Sequence, residues 1–152
     1  MLKKLLISIL FITLILGCKF EPIYSEKNEA NFSIEKISFE GNREINNLIN
    51  KKLERYKEKE TGKKIDIKTS STYTKKSQSK NTSGTTTRYN LEASVNFNIT
   101  TKNSTSDITI KKDFVMNNLS DEFEEKIYED KIKDNLSESI VNELLLYLPR
   151  IK

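Results

Sequence analysis

Two groups of residues in this chain could do chemistry: a single cysteine after an apolar stretch, and a set of basic side chains near a Ser/Thr-rich segment. The 152 residues contain one Cys, at position 18, and no His or Trp. The commonest general base and metal ligand is therefore missing, and a cysteine zinc site or an intrachain disulfide needs more than one Cys. We expect no catalytic residue, no metal site and no cofactor, so the chain is not predicted to be an enzyme. A small hydrolase with a Ser nucleophile is the remaining enzymatic alternative, although no Ser and Lys spacing matches a known catalytic pair.

Cys18 follows an N-terminal segment that has the features of an export signal. Lys3 and Lys4 precede a run of twelve mostly apolar residues, from 5 to 16. Twelve helical residues span about 18 Å, which is short of the roughly 30 Å hydrocarbon core of a bilayer. The run therefore predicts the apolar region of a signal peptide that covers residues 1–17.

Residues 15–18, Ile-Leu-Gly-Cys, resemble the lipobox of bacterial lipoproteins. The resemblance implies that the Cys18 thiol takes a diacylglycerol and that Cys18 becomes the first mature residue. Two or three acyl chains such as palmitate then hold the protein in its leaflet, because each buried CH₂ contributes about 0.8 kcal/mol. Residue 19 is Lys and not the Asp associated with inner-membrane retention, so similarity to lipoprotein sorting rules implies the outer membrane, facing the periplasm. The alternative is a plain signal peptide, or a short N-terminal anchor, with an incidental cysteine.

The mature chain predicts a tether followed by one domain. Residues 18–31 contain Pro22 and several charges, and we expect them to form an extended lipidated tether; residues 32–152 show no repeat or boundary. Apolar alternation and two amphipathic stretches predict the order β-α-β-β-β-α. The predicted fold class is α+β, a two-layer sandwich in which a four-stranded, mostly antiparallel sheet carries two helices on one face. The first strand could pair at either edge.

Alternating apolar residues predict the four strands. The alternation slips at Glu35-Lys36 in the first strand and runs without a break from 89 to 99 in the third. Residues 76–87 are rich in Lys, Ser, Thr and Asn and are predicted to form a loop around Gly84. The predicted strands cover residues 32–39, 65–73, 89–99 and 108–116.

The two predicted helices have caps and breakers at their ends. Asn42 is expected to cap the first helix and Ser120 the last, and Pro149 ends the last helix. Apolar residues at intervals of about four place one face of the last helix on the sheet. The triplet 144–146 points Leu side chains in three directions, so one of them must be buried by the sheet edge or face a partner, and we expect ordinary burial. The residues expected on the buried face are Phe123, Ile127, Ile132, Leu136, Ile140, Leu144 and Leu148.

Charge is uneven along the domain. Residues 63–112 carry ten basic and three acidic side chains, whereas residues 113–152 carry five basic and ten acidic ones. A basic patch beside hydroxyl groups suits a phosphorylated or carboxylated ligand, and an exported protein does not meet nucleic acid. The alternative is a solvated surface in a chain rich in Lys. The candidate binding residues are Lys75, Lys76, Lys80, Arg88, Lys111 and Lys112.

Residues 18–24, Cys-Lys-Phe-Glu-Pro-Ile-Tyr, resemble the mature N-terminus of one branch of the LPS-assembly lipoprotein LptE family. The aromatic residue at 20, Pro22 and the aliphatic-Tyr pair at 23–24 match, and Lys19 stands where Gly is usual. The chain length, the element order and the long final helix also agree with this family.

The resemblance implies a function without catalysis. LptE proteins lie as a plug inside the lumen of the LptD-type outer-membrane β-barrel, help it to assemble, and bind lipopolysaccharide on its way to the cell surface. The implied partners are this barrel, lipopolysaccharide, and the outer-membrane bilayer through acylated Cys18. The six basic candidates would then contact the phosphorylated head of lipopolysaccharide. The alternative is an accessory lipoprotein of another envelope transport or assembly machine.

Overall fold

A computed structural model describes residues 32–57 and 62–151. The predicted signal peptide and tether, with Cys18, lie outside the described residues. The described chain forms four strands and two α-helices, and each helix is followed by one short 3₁₀ turn. These elements are β1 (Phe32–Gly41), α1 (Arg43–Leu53) with its 3₁₀ turn (Glu54–Tyr56), β2 (Lys63–Lys80), β3 (Thr86–Thr100), β4 (Thr105–Asn117) and α2 (Glu122–Tyr147) with its 3₁₀ turn (Leu148–Arg150).

The strands form one open sheet in the order β1-β2-β3-β4. β1 runs parallel to β2, because α1 carries the chain back to the end where β1 began. The other two pairings are antiparallel. The predicted α+β class, with a mostly antiparallel four-stranded sheet, is confirmed, and β1 takes the edge beside β2.

Local signals in β1 have a structural counterpart. The pairing register with β2 shifts between Ile34 and Lys36, where the apolar alternation slips. At the end of β1, Gly41 has a φ of 91°, which favours glycine, and lies against the Ser71 carbonyl. Asn42 then caps α1, since its Oδ1 accepts a hydrogen bond from the backbone N–H of Ile45 at 3.0 Å.

The core lies in a single layer between the sheet and the two helices. Alternate residues of β3 from Leu91 to Ile99 are fully buried, because β2 and β4 flank them within the sheet and α2 covers this face. Buried positions on the helices and the other strands complete the layer. They include Ile34, Ile45, Ile49, Leu53, Ile67, Ile110, Met116, Ile132, Leu136, Ile140 and Leu144.

The start of α2 differs from the prediction. Asp121, and not Ser120, is the cap, since its Oδ1 accepts from the backbone N–H groups of Phe123 (2.8 Å) and Glu124 (2.9 Å). Phe123 and Ile127 are 72% and 42% exposed, so their expected burial is wrong. The carboxylates of Glu125 and Glu129 hold this half of the helix to the sheet in their place, as described below.

The Leu triplet is also only partly buried. Leu144 is in the core and Leu145 packs against it, but Leu146 is 69% exposed. The expectation that the sheet edge buries the remaining Leu is therefore wrong, because Leu146 is the one left exposed. A helix with one covered side cannot bury three consecutive side chains, because each is turned about 100° from the last.

The segment predicted as a loop is mostly strand. β2 continues to Lys80 and β3 begins at Thr86, so only residues 81–85 form the connection. Hydroxyl pairs join the two strands in this region: Ser77 Oγ lies 3.0 Å from Thr86 Oγ1, and Ser79 Oγ lies 2.8 Å from Thr87 Oγ1. Both strands therefore extend through residues that lack the alternating apolar pattern from which strands are predicted.

Candidate functional site

Hydrogen bonds hold together the turn at the hairpin end of the sheet. Asn81 Oδ1 accepts from the backbone N–H groups of Ser83 (3.1 Å) and Thr85 (2.9 Å), and Gly84 has a φ of 84°. Asn118 ties the hairpin to the approach to α2, because its N–H donates to the Thr87 carbonyl at 2.9 Å. We call this region, residues 76–88, the hairpin end.

Three of the six basic candidates lie at the hairpin end without an ion pair among residues 32–57 and 62–151. Lys76 and Lys80 are exposed on β2, and Arg88 is exposed on β3. Arg88 Nε donates a hydrogen bond to Ser79 Oγ at 3.1 Å, which steadies the guanidinium beside the hydroxyl pairs. These three cations are free to receive an anionic group, and nearby hydroxyls can add hydrogen bonds to it.

Lys75 is placed differently, because it faces the helices and is already paired. Its Nζ lies 2.7 Å from Glu125 Oε1 and 2.9 Å from Glu129 Oε2, and it sits 4.4 Å from the ring centroid of Tyr89. Glu129 also accepts from the Tyr73 hydroxyl at 2.9 Å. Lys75 therefore fastens α2 to β2, and an incoming anion would have to displace two carboxylates to reach it.

The ion-pair network of Lys75, Glu125 and Glu129 continues through Lys133 to α1. Lys133 Nζ is 3.2 Å from Glu129 Oε1, 2.8 Å from Glu44 Oε2 and 3.3 Å from Asp130 Oδ1. It also lies 5.1 Å from the centroid of the Tyr73 ring. Three elements, α1, β2 and α2, are thus joined by one set of charges.

The pKa values in this network move in the directions that pairing dictates. Burial alone would raise the pKa of Glu129, but hydrogen bonds from Lys75 and Tyr73 and the charge of Lys133 outweigh it and lower that pKa. The hydrogen bond from Lys75 lowers the pKa of Glu125. Burial, together with the hydrogen bond to Glu129, raises the pKa of Tyr73. Both carboxylates are therefore ionised and the phenol neutral at neutral pH.

The remaining two candidates lie away from the hairpin end and are ion-paired. Lys111 Nζ is 2.7 Å from Glu92 Oε2 on the neighbouring strand. Lys112 faces the helical layer, where its Nζ is 2.6 Å from Glu143 Oε2. The structure therefore brings Lys76, Lys80 and Arg88 together as unpaired cations and gives Lys75, Lys111 and Lys112 partners within the fold.

The open face of the sheet, opposite the helices, is polar over its whole described extent except at Val115. Amide and hydroxyl side chains bridge adjacent strands there: Asn96 Nδ2 donates to Thr109 Oγ1 at 3.0 Å, and Asn98 Nδ2 donates to Asp107 Oδ1 at 2.9 Å. This face offers many hydrogen-bonding groups and suits contact with another hydrated, polar surface.

Sequence reasoning missed the residues that support the site. Tyr89, at the start of the predicted alternation of β3, packs against the core as expected, and its ring also lies beneath Lys75, which was not expected. Asn118 had no assigned role, yet its side-chain amide donates to the Thr86 carbonyl at 2.7 Å. The Asn-Leu-Ser-Asp segment before a helix was the available signal for Asn118, since polar residues at a strand-to-helix turn often bond to backbone.

Two kinds of site have no counterpart in the part of the chain that the structure describes. No group of three or more Cys, Asp or Glu side chains is arranged to hold a metal ion there. No described helix is long and apolar enough to cross a membrane.

The fold matches solved bacterial lipoproteins, although the sequence matches nothing. No known protein-family profile matches the chain, and no curated protein sequence matches it. Rare lipoprotein B from Shewanella oneidensis superposes with a TM-score of 0.57 at 10% identity, over 76% of this chain and 98% of that protein. A candidate lipoprotein from Caulobacter crescentus CB15 gives a TM-score of 0.51 at 9% identity, over 76% of this chain and 86% of that one. This chain therefore shares the fold of these two structures.

Proposed function

We propose that this chain is an outer-membrane lipoprotein that acts as the plug and assembly partner of an LptD-type β-barrel in lipopolysaccharide transport. The observation that carries the proposal is the shared fold with rare lipoprotein B, which spans 98% of that protein. Rare lipoprotein B is another name for LptE, and residues 18–24 resemble the LptE N-terminus independently of the fold.

The polar open face supports the role of a plug. The lumen of a large outer-membrane barrel is hydrated and polar, so a protein inside it gains from hydrogen-bonding side chains more than from apolar ones. The Asn96–Thr109 and Asn98–Asp107 pairs exemplify the surface that this face presents. Lipid attachment at Cys18 would hold the plug at the periplasmic side of the outer membrane.

The hairpin end supports direct binding of lipopolysaccharide. Lys76, Lys80 and Arg88 carry three unpaired positive charges beside Ser and Thr hydroxyls, and phosphate groups accept hydrogen bonds from both kinds of donor. Lys75, Lys111 and Lys112 add to the local field but are held by Glu125, Glu92 and Glu143 respectively. The proposed contact with phosphate therefore rests on the first three.

The test is capture from the native membrane with a photocrosslinker on the open face. Asn96→p-benzoylphenylalanine in the full chain, tagged at the C-terminus, is irradiated in cells and purified under denaturing conditions. We expect a covalent product with a large outer-membrane β-barrel identified by mass spectrometry. The control is the same replacement at Ile140, which is fully buried in the core and should give no intermolecular product. A product with the components of a different envelope machine would support the accessory-lipoprotein alternative, and the absence of any barrel product at Asn96 would contradict the plug.

A further inference from the structure

The chain enters the described domain at the end of the sheet opposite the hairpin. β1 begins at Phe32, which pairs with Lys63 at the start of β2, and the turn between β3 and β4 closes the same end. β2 runs from this end for 18 residues. The hairpin therefore lies about 55 Å away at the other end of the sheet. We call residues 32–36, 62–66 and 101–104 the entry end.

The entry end carries an excess of positive charge. It contains two carboxylates, Glu35 and Asp66, and four lysines. Lys64 is ion-paired, because its Nζ lies 2.8 Å from Glu35 Oε1. The other three lysines have no ion pair among residues 32–57 and 62–151, and they are Lys36, Lys63 and Lys102. The fold therefore leaves these three charges available to an anionic partner.

A polar cleft gathers three of the four lysines. It has a volume of about 520 Å³, and its lining residues are Gly62, Lys63, Lys64, Thr101, Lys102 and Asn103. Lys63 is held at this end, because its Nζ donates to the Ile151 carbonyl at 3.0 Å. Every lining residue except the glycine has a polar side chain, so the cleft suits a charged headgroup and not an acyl chain.

The fourth lysine belongs to the same cluster. The hydrogen bond from Lys64 lowers the pKa of Glu35, and the charges of Lys64, Lys36 and Lys102 lower it further. Lysines from β1, from β2 and from the turn between β3 and β4 are therefore close enough to act on one carboxylate. Lys36 and Lys102 are themselves exposed, so both can also act on a surface outside the protein.

The position of the lipid anchor brings the entry end to the bilayer. Cys18 precedes Phe32 by fourteen positions, and a chain of that length spans at most about 50 Å. Acyl chains on Cys18 therefore keep the entry end near the lipid surface. Contact with that surface is then intramolecular in effect, so a weak attraction is enough to maintain it. Acyl chains combined with a basic patch are a common pair of membrane-binding signals.

We propose that the entry end binds the anionic headgroups of the phospholipid bilayer in which the acyl chains of Cys18 are inserted. The inference rests on the proposed function for the anchor at Cys18 and adds a second contact through Lys36, Lys63 and Lys102. The ammonium group of lysine is a compact, hydrated charge, which suits a surface of headgroups without fixed geometry. The contact orients the domain so that the hairpin end is directed away from the lipid surface.

The test measures which end of the domain lies near the lipid. The acylated full-length mature protein carries a fluorescent donor on Asn103→Cys at the entry end or on Thr82→Cys at the hairpin end. The only other cysteine, Cys18, is blocked by acylation. Energy transfer to acceptor dyes on lipid headgroups is compared in vesicles of phosphatidylcholine alone and of phosphatidylcholine mixed with phosphatidylglycerol, whose headgroup is anionic.

Two double variants separate a local contact from the effect of net charge. The first combines Lys36→Gln and Lys102→Gln, whose side chains are exposed and make no hydrogen bond or ion pair within the described residues. Lys63 is kept, because its hydrogen bond to Ile151 supports the fold. The matched control combines Lys126→Gln and Lys131→Gln, which are exposed on α2 and change the net charge equally. Circular dichroism verifies that both variants are folded.

We expect phosphatidylglycerol to raise the transfer from position 103 and to lower the transfer from position 82. The difference between the two kinds of vesicle should vanish in about 1 M NaCl, where the Debye length is about 3 Å. The Lys36 and Lys102 double variant should lower the ratio of lipid-contacting to free domains by about tenfold or more, since each lysine near an anionic surface favours contact by about fivefold. The control variant should leave this ratio unchanged.

The inference and the proposed function fail in distinguishable ways. Equal transfer from position 103 in the two kinds of vesicle would overturn the lipid contact and leave the barrel crosslink from Asn96 unaffected. An equal rise at positions 103 and 82, or an equal loss in the two double variants, would assign the attraction to net charge and also overturn it. An unmodified Cys18 by mass spectrometry would overturn the anchor on which both depend. A missing barrel crosslink with the expected transfer at position 103 would contradict the plug and support the lipid contact.

Discussion

Glu129 is the residue whose carboxylate joins the helical layer to the sheet. Its two carboxylate oxygens accept from Tyr73, Lys75 and Lys133, and only 15% of its side chain is exposed. Such a carboxylate is stable as an ion only because three donors surround it. A change that removes its charge therefore affects α1, β2 and α2 together.

Glu129→Gln should lower the free energy of unfolding by about 1–2 kcal/mol, because the amide keeps part of the hydrogen bonding but leaves Lys75 and Lys133 short of one negative charge. Chemical denaturation followed by circular dichroism measures this change. Glu138→Gln is the control: Glu138 is on the same helix, but it is 58% exposed and 3.8 Å from Lys52, so its loss should be within about 0.5 kcal/mol. Equal losses in the two variants would contradict the central position of Glu129.

The same residue predicts how stability depends on pH. The pKa values of Glu125 and Glu129 are lowered in the folded protein, so these groups add stability above their ordinary pKa near 4.5 and lose it as the pH falls through the lowered values. The midpoint temperature of thermal unfolding should therefore fall when the pH is lowered below about 4.5, and this fall should be smaller in Glu129→Gln. A variant that kept the full acid sensitivity of the unaltered protein would show that other carboxylates cause it.

Lys75 illustrates what the sequence could predict of the site. Composition along the chain identified the basic segment, and three of its cations are unpaired at the hairpin end. The pairing of Lys75 with Glu125 and Glu129 joins residues 50 and 54 positions apart, and nothing local in the sequence indicates which carboxylates meet which lysines. Long-range ion pairs depend on how α2 crosses the sheet, which the apolar pattern specifies only coarsely.

At the scale of elements, apolar patterns predict which strands and helices form but not how long the hairpin is. The four strands, both helices and their order follow from apolar periodicity, and Asn42 follows from cap chemistry. The length of the hairpin does not follow from apolar periodicity. Ser–Thr hydroxyl pairs such as Ser79–Thr87 join the outer ends of β2 and β3, and a loop rich in Ser and Thr would have the same composition. The cap of α2 was missed by one position, since Ser120 and Asp121 are both good caps.

The β1-to-α1 connection depends on Gly41. A Cβ at this position would overlap the carbonyl oxygen of Ser71, and φ is positive. Gly41→Ala should therefore destabilise the protein by about 3 kcal/mol, from backbone strain and from displacement of β2. Gly84→Ala is a matched control, because Gly84 also has a positive φ but nothing lies within 4 Å of its added Cβ. It should cost only about 1–2 kcal/mol. Similar unfolding free energies for the two variants would contradict a steric role for Gly41.

The hairpin end predicts a salt-dependent contact. Replacing Lys76, Lys80 and Arg88 together by Gln should weaken binding to lipopolysaccharide and reduce the dependence of the dissociation constant on NaCl, since screening acts on charges that are no longer present. The charge-matched control replaces Lys68, Lys126 and Lys131, which are exposed elsewhere. If both triple variants lose affinity equally, the effect belongs to net charge and not to the hairpin.

At the scale of the whole molecule, the uneven charge of the sequence has a structural use. The basic sheet and the acidic final helix pack against each other, and the pairs Lys75–Glu129 and Lys112–Glu143 cross between them. Lys52 adds a helix-to-helix pair with Asp134 at 2.8 Å. Several charges of the two unlike segments are therefore paired within the fold, whereas Lys76, Lys80 and Arg88 at the hairpin end have no ion pair among the described residues.

The expected location of the whole molecule depends on Cys18, which precedes the described residues by fourteen positions. Cys18→Ser removes the thiol that the lipobox resemblance requires for acylation, and a folded domain without acyl chains has no comparable affinity for a bilayer. We expect the variant in the soluble periplasmic or the inner-membrane fraction, whereas the unaltered protein should sediment with the outer membrane and carry a diacylglycerol-modified N-terminus by mass spectrometry. Gly84→Ala provides the control for altered folding, because it should lose stability but keep its location. A Cys18→Ser protein that still sediments with the outer membrane would show that binding to the barrel alone determines where the protein lies.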